Sequence, residues 1–337
     1  TNWLLSTENM AGYTQNRKPD NDWMSKHFQF ESVMTTTGSN ADVRIPIKPS
    51  EEGLVAAAIL KHLTGTSVPG VTVNADLMER TKLVASELKA NQGKSLVVAG
   101  SNCSGTQTII NAINNALGSY GSTINLNNPV SIANGNDAEV ETLVKEVEAG
   151  QVDALFLYGV NPVYTLPNGD KFAEGLKKLP LTVSFSQHAD ETASNCKFIC
   201  PDNHYLESWN DFAPKASHYA VAQPAIRPLY DTYQAQQSFL VWSGKAVRSG
   251  KDSRVVYDYI KSKYSGDWNT LVHNGSVDMP VTSGAGSAFA GDLGAAGALV
   301  ASRAKMTGDV EVILYQKNGI GDGQQAANPW LQELPDP

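Results

Sequence analysis

Two hydrophobic periods alternate through the first two-thirds of the chain. Apolar residues at i, i+3, i+4 and i+7 mark amphipathic helices, and short continuous apolar runs between them mark buried strands. The pattern predicts helices over 50–63, from Asn74 or Asp76 to 91, over 106–117 and over 136–148. In the last of these Val140, Leu143, Val144 and Val147 share one face. Ser50 and the acids after it, and Asn136-Asp-Ala-Glu139, supply the N-terminal signals, while Gly93 and Gly150 follow as stops. Between the helices, 95–99, 123–126, 153–158 and 181–185 read as strands, with a further helix over 171–178. Strand–helix alternation of this kind predicts β-α-β units in one mainly parallel sheet over 95–186, covered by helices.

The rest of the chain reads differently. Residues 1–49 look irregular, with Trp3, Trp23, Phe28 and Phe30 among polar residues, an arm laid over a larger body. Residues 50–212 hold the α/β alternation. From 213 to 317 comes a helical and Gly/Ala-rich continuation: Pro214, Pro224 and Pro228 mark a long connection, 230–247 and 253–264 read as helices, and 310–315 as one more strand. The 283–301 stretch reads as loop followed by helix, though its Gly/Ala-rich composition alone does not separate a flexible loop from a close-packed helix. Residues 318–337 read as the start of a further C-terminal region. Aromatic residues spread through irregular segments suggest that the arm with Trp3 and Trp23, and the 214–230 connection, lie against neighbouring chains or other parts of the same one.

With 337 residues, 41% of them hydrophobic, the chain can bury a large core or two adjoining ones. A net charge of -8 excludes a phosphate-neutralising nucleic-acid surface, since that needs clustered Lys and Arg. No apolar run approaches the length needed to cross a bilayer. Only 18% of residues are charged, with Gly at 28 and Pro at 16, which suits a loop-rich protein largely covered by partners. Three cysteines exclude a disulfide scaffold and a four-cysteine cluster within the chain. Cys196 and Cys200 would lie roughly 13 Å apart along a strand, about twice the disulfide limit.

Candidate chemistry gathers at two loops that leave predicted strand ends, Gly100-Ser-Asn-Cys-Ser-Gly105 and Gly159-Val-Asn-Pro162. Ligands settle at such places in parallel sheets because loops diverge there and helix N-termini offer N–H donors. The first loop has the glycine spacing of a P-loop but Thr106 and Gln107 in place of Lys and Ser/Thr, so it is not an NTPase site. His188, Cys196, Cys200 and His204 have the count and type of a zinc site without the spacing of a common finger, and are read as ordinary packing and surface residues. Asp190 and Glu191 are read as a solvated turn or helix cap.

Gly159-x-Asn-Pro after an apolar run, followed by Glu191-Thr-Ala193 and a strand ending in Pro201, resembles the nucleotide-cradling half of the molybdopterin oxidoreductases. The closer resemblance is to one branch, the molybdopterin-like subunit of alternative complex III, a bacterial quinol-oxidising respiratory assembly. Thr35-Thr-Thr-Gly-Ser-Asn-Ala-Asp-Val-Arg44 and Asn328-Pro-Trp-Leu-Gln-Glu-Leu-Pro-Asp-Pro337 extend it over nearly the whole chain. It implies Rossmann-like, mainly parallel sheets of the molybdopterin oxidoreductase catalytic-subunit fold, in a piece of a larger subunit. It also implies a cradle formed by Gly100, Ser101, Asn102, Gly159, Asn161, Pro162, Ser186 and Thr192. In cofactor-loaded relatives an acid that can pair with the pterin nucleotide's guanine follows the strand after Gly-x-Asn-Pro; counting back from Glu191 that place falls on Ser186. The family's Ala-Asp before the closing strand reads Cys196-Lys197, and no Cys-x-x-Cys leader is present. The resemblance therefore implies a vestigial cradle without catalytic or metal-ligating residues, its cleft closed by side chains or holding only water. It places iron–sulfur clusters in a ferredoxin-like C-terminal part of the subunit. As partners it implies multihaem cytochrome c and integral membrane quinol-binding subunits, on the periplasmic side of the bacterial inner membrane. The rival is a fragment of a working molybdenum oxidoreductase of the polysulfide or tetrathionate reductase type.

Overall fold

A computed structural model describes residues 6–132, 135–247, 254–282, 284, 288–305, 308–317, 319–321, 323 and 325–335. The chain folds as two compact units: Thr1–Pro129 with Val281–Tyr315, and Val130–Pro280 with Gln316–Asp336. The division at 129/130 falls inside the 50–212 stretch expected as one α/β region, and each unit recruits a later piece of chain.

The first unit is built on helices Glu52–Thr64, Ala75–Ala90, Ser104–Ala116 and Leu293–Ala304. Their apolar stripes meet in one core that includes Val55, Ile59, Leu77, Ile109, Ile113, Leu117 and Val300. Local chemistry sets the ends. The Asn74 side chain accepts the Leu77 N–H at 2.8 Å, Asp292 accepts those of Gly294 and Ala295, and Gly65 closes the first helix at φ +77°. In 283–301 the later part is helix, from Leu293, and it is close-packed. A Cβ on Gly297 would stand 2.0 Å from the Pro69 carbonyl oxygen, and one on Gly105 2.6 Å from that of Ala296.

Residues 6–49 are more regular than expected. They hold a helix, Ser6–Gln15, and two parallel strands, Phe28–Glu31 and Val43–Pro46. The 35–44 motif explains itself here. Thr35 caps a short turn of helix by accepting the Gly38 N–H, and Gly38 leaves room for the buried Glu31 carboxylate, which a Cβ would strike. Glu31 accepts from Arg44 Nε at 2.6 Å and Thr35 Oγ1 at 2.8 Å. Burial opposes its ionisation, but Arg44 and Thr35 outweigh that and hold its carboxyl below the usual range. Asp42 accepts from both terminal guanidinium nitrogens of Arg17, at 2.8 and 3.0 Å, and from the His27 N–H. Trp3 lies outside the described residues.

The second unit carries the parallel sheet. Strands Ala154–Leu157, Leu181–Ser184 and Phe198–Ile199 run parallel in that order. Helix Gly169–Lys178 crosses between the first two and packs with Asp137–Ala149 through Val147, Phe172 and Leu176. The helices approach closely enough that a Cβ on Gly175 would sit 2.7 Å from the Val147 carbonyl oxygen. A second, antiparallel sheet joins Asn210–Lys215, His218–Ala222 and Ser276–Asp278.

Several expectations change. Residues 95–99, 123–126 and 310–315 are not paired into strands, so the β-α-β series over 95–186 reduces to the unit joining 154–157 to 181–184. The 95–99 run keeps strand-like alternation of exposure but finds no neighbouring strand; side chains of the 104–116 helix and the 119–123 turn hold it instead. The 214–230 connection begins as a hairpin, in which Pro214 sits at a register shift and loses no ladder bond. The 230–247 helix shortens to Ala235–Trp242.

The Arg17–Asp42 pair predicts an acid limb. Arg17 pushes the Asp42 carboxyl from 3.8 down to about 2, so its contribution is present above 3.8 and lost as pH falls through about 2. Limited proteolysis over that window is expected to open the chain between residues 6 and 26 before the rest, and Arg17→Ala to open it already at neutral pH. Cleavage indifferent to both changes would show that the pair does not anchor this segment.

Candidate functional site

The carboxyl ends of the parallel strands in the second unit carry the site. The chain leaves strand 154–157 through Gly159 at φ +66°, a conformation glycine adopts without steric cost. Pro162 then opens the short helix Pro162–Thr165, whose Tyr164 and Thr165 N–H groups donate to the Asn161 carbonyl.

The Asn161 side chain joins two of the motifs. Its Nδ2 donates to Glu191 Oε2 at 2.8 Å, and its Oδ1 accepts from Thr192 Oγ1 at 2.6 Å and from the Thr192 N–H at 3.2 Å. Thr192 Oγ1 accepts the Val163 N–H in return, at 3.0 Å. Gly-x-Asn-Pro and Glu-Thr-Ala thus recognise each other across 30 residues of chain. Asp190 Oδ1 accepts the Ala193 N–H at 2.7 Å and fixes the turn that follows.

Around this clamp the described residues leave a hollow of about 720 Å³, a ligand-sized volume. Tyr158, Tyr164 and Phe185 supply aromatic walls, and Gly323, Gln325, Ala326 and Ala327 close one side from the late segment. Side chains of the described residues do not fill this hollow. Its charged lining among the described residues is Asp190, Glu191 and Asp202, beside His188, with no Lys or Arg. Ser186, half-buried, lies on the wall and its hydroxyl accepts the His188 N–H at 3.3 Å.

Asp202 is the lining residue that the sequence did not single out. Its Oδ1 accepts the N–H groups of Ala235 at 2.8 Å and Asn203 at 2.9 Å, which ties the closing strand to the 235–242 helix. Burial raises its pKa above the ordinary carboxylate value, and the Ala235, Asn203 and Tyr158 donors offset only part of that. The signal that could have found it is its place: directly after Pro201, off the carboxyl end of a parallel strand, where sites form.

Gly100, Ser101 and Asn102 lie in the other unit. Ser101 serves the turn, its hydroxyl accepting the Cys103 N–H and its carbonyl the Gln107 amide. The hollow beside this loop is about 10 Å³, lined by Ser50, Gly53, Ser101, Thr106 and Arg303 among others, space for about one water. Burial opposes ionisation of Cys103, but the Thr106 N–H and hydroxyl, the Gly105 N–H and Arg303 outweigh it and pull the thiol below its usual range.

The residues weighed as a zinc set have separate roles. The Cys196 thiol donates to the Thr192 carbonyl, Cys200 packs beside Val183, Phe185 and Ala235, and His204 Nδ1 accepts the Leu206 N–H at the start of a 3₁₀ turn. Among the described residues no group of three or more His, Cys, Asp or Glu is arranged to hold a metal.

Residues 72–219 match the molybdopterin oxidoreductase family model. The mixed α/β fold with parallel strands is consistent with a domain of that class. The chain is also 26% identical, over 318 residues, to the menaquinone reductase, molybdopterin-binding-like subunit of Nitratidesulfovibrio vulgaris (Hildenborough). That alignment takes in 77% of this chain and 44% of the relative, so the chain spans less than half the relative's length.

Two substitutions probe the site. Asn161→Ala leaves the buried Thr192 without its partner and is expected to cost about 1–3 kcal/mol in urea unfolding; a loss under about 0.5 kcal/mol would show that the clamp is dispensable. For Asp202 the raised pKa means the fold disfavours its charge. The penalty is absent below the ordinary value of 3.8 and grows as pH rises through the raised one. Asp202→Asn keeps the Oδ1 acceptor and is expected to raise the melting temperature at pH 7 but not below the ordinary carboxylate pKa; an unchanged or lower melting temperature at pH 7 would contradict this.

Proposed function

We propose that this chain is a structural, cofactor-free molybdopterin-oxidoreductase-like part of a quinol-oxidising respiratory electron-transfer complex, alternative complex III. The observation that carries the reading is the chemistry of the Gly159 cleft. A pterin nucleotide brings a pyrophosphate and a guanine edge. The described lining offers the first no cation, and offers the second Ser186 where loaded relatives have a carboxylate.

The cleft's own carboxylates do not take over that role in this reading. Asp202 Oδ1 is committed to two backbone N–H groups, Asp190 Oδ1 to Ala193, and Glu191 Oε2 to Asn161. None is left with both oxygens free for the parallel pair of bonds that reads a guanine. Similarity to a menaquinone reductase subunit whose name carries the words molybdopterin-binding-like supports the quinone-linked half of the proposal. In the assembly the chain would act as a scaffold. Iron–sulfur clusters would lie in a ferredoxin-like C-terminal part, with multihaem cytochrome c and integral membrane quinol-binding subunits alongside, on the periplasmic face. No helix among the described residues is long and apolar enough to cross a membrane.

The open hollow is what favours the rival, an active molybdenum enzyme of the polysulfide or tetrathionate reductase type. Metal analysis and acid release of nucleotide from the intact assembly separate the two. The expected result is neither molybdenum nor tungsten in proportion to this subunit, no guanine nucleotide, and quinol oxidation unaffected by Ser186→Ala. One equivalent of either metal with released guanine nucleotide would overturn the proposal.

A further inference from the structure

The 95–100 segment of the first unit has the form of a strand and no sheet. Ser95, Val97 and Ala99 are half-buried, and Val97 and Ala99 pack on the helical core, while Leu96 (46%) and Val98 (52%) are exposed. One edge is closed by side chains. The Asn114 carboxamide donates to the Val97 carbonyl at 2.7 Å and accepts the Val97 N–H at 2.9 Å. Ser119 and Thr123 hydroxyls donate to the Ser95 carbonyl, and Gln107 Nε2 donates to that of Ala99.

In such a segment the N–H and C=O of alternate residues point to the same side. With 95, 97 and 99 turned to the closed edge, the backbone groups of Leu96 and Val98 face the other, and among the described residues neither has a hydrogen-bond partner. Asn114, 3% exposed, holds the segment rigidly in that pose.

We propose that the open edge of 95–100 is a docking edge for a β-strand, and that the strand comes from polypeptide of the same protein outside residues 1–337. Evenly spaced N–H and C=O groups call for an extended polypeptide, and the exposed side chains of Leu96 and Val98 call for an apolar layer above it. Sequence apolar on both faces, Ser95-Leu-Val-Val-Ala99, is that of a strand covered on both sides. The source follows from length: the alignment leaves more than half of the menaquinone reductase subunit without a counterpart in this chain. The extended run 310–314, itself exposed and apolar in the same unit, is not paired to this edge.

Amide hydrogen exchange, followed residue by residue, tests the proposal on chain 1–337, on the intact polypeptide that contains it and on the assembled complex. The Leu96 and Val98 amides are expected to exchange on the order of 100-fold more slowly in the intact polypeptide than in 1–337. The Val97 amide, held by Asn114 in both, is expected to change little. Protection already present in 1–337, protection that appears only when other subunits bind, or none anywhere would each overturn it. Val98→Pro removes one donor of the open edge. It is expected to lower the melting temperature of the intact polypeptide and leave that of 1–337 in place; equal losses in both would count against the docked strand.

Discussion

A backbone amide taken out of water has to be paired, and in this chain side-chain amides meet that need where sheet pairing gives out. Asn161 ties the exit of one parallel strand to the Glu-Thr-Ala turn that precedes another. Asn114 and Gln107 hold an extended segment that has no neighbouring strand. Each such bond contributes only about 1 kcal/mol net, but leaving its partner buried and unpaired costs about 1–3 kcal/mol. These few carboxamides therefore decide where the loops run in each unit, and Asn161 is the one at the cleft of the second.

That cleft is shaped by groups already engaged with one another. Its carboxylates accept backbone and side-chain donors from their own loops, and Asp202 also sits at the start of the 235–242 helix, where N–H groups favour an anion. Beneath it Phe185 runs into the ring cluster of Phe239 and Trp242, at centroid distances of 5.1 and 5.9 Å, so the floor is a packed aromatic layer. The wall of the cleft is thus acidic and tied to its own loops, above an aromatic layer.

Glycine has a specific job at the helix crossings. Gly105, Gly175 and Gly297 each stand where an added Cβ would press within 2.7 Å of a carbonyl oxygen of a neighbouring segment. The Gly/Ala-rich character that suggested flexibility over 283–301 is, from Leu293 onward, the condition for close packing against the 104–116 helix and the 68–69 turn. Composition alone does not separate these two meanings, because a small side chain serves both a mobile loop and a tight interface.

Helices were the most legible part of this sequence. Their stripes and caps lie within a few residues of one another, and 52–64, 75–90, 104–116 and 137–149 form close to where periodicity put them. The pairing of Gly-x-Asn-Pro with Glu-Thr-Ala was legible as two motifs, though not as one hydrogen-bonded clamp. Strands fared worse because a strand exists only with its partner. The runs 95–99 and 310–315 have strand sequences but form no strand among the described residues, while 210–222 forms a hairpin that Pro214 concealed. Asp202, the buried acid of the cleft, was invisible for the same reason: its environment is made by Ala235 and Tyr158, which lie 33 residues after it and 44 before it in the chain. Sequence determined what was local, the helices, their ends and the glycine turns. Tertiary structure decided which extended segments became a sheet and which carboxylates were buried, because both depend on partners that local pattern does not specify.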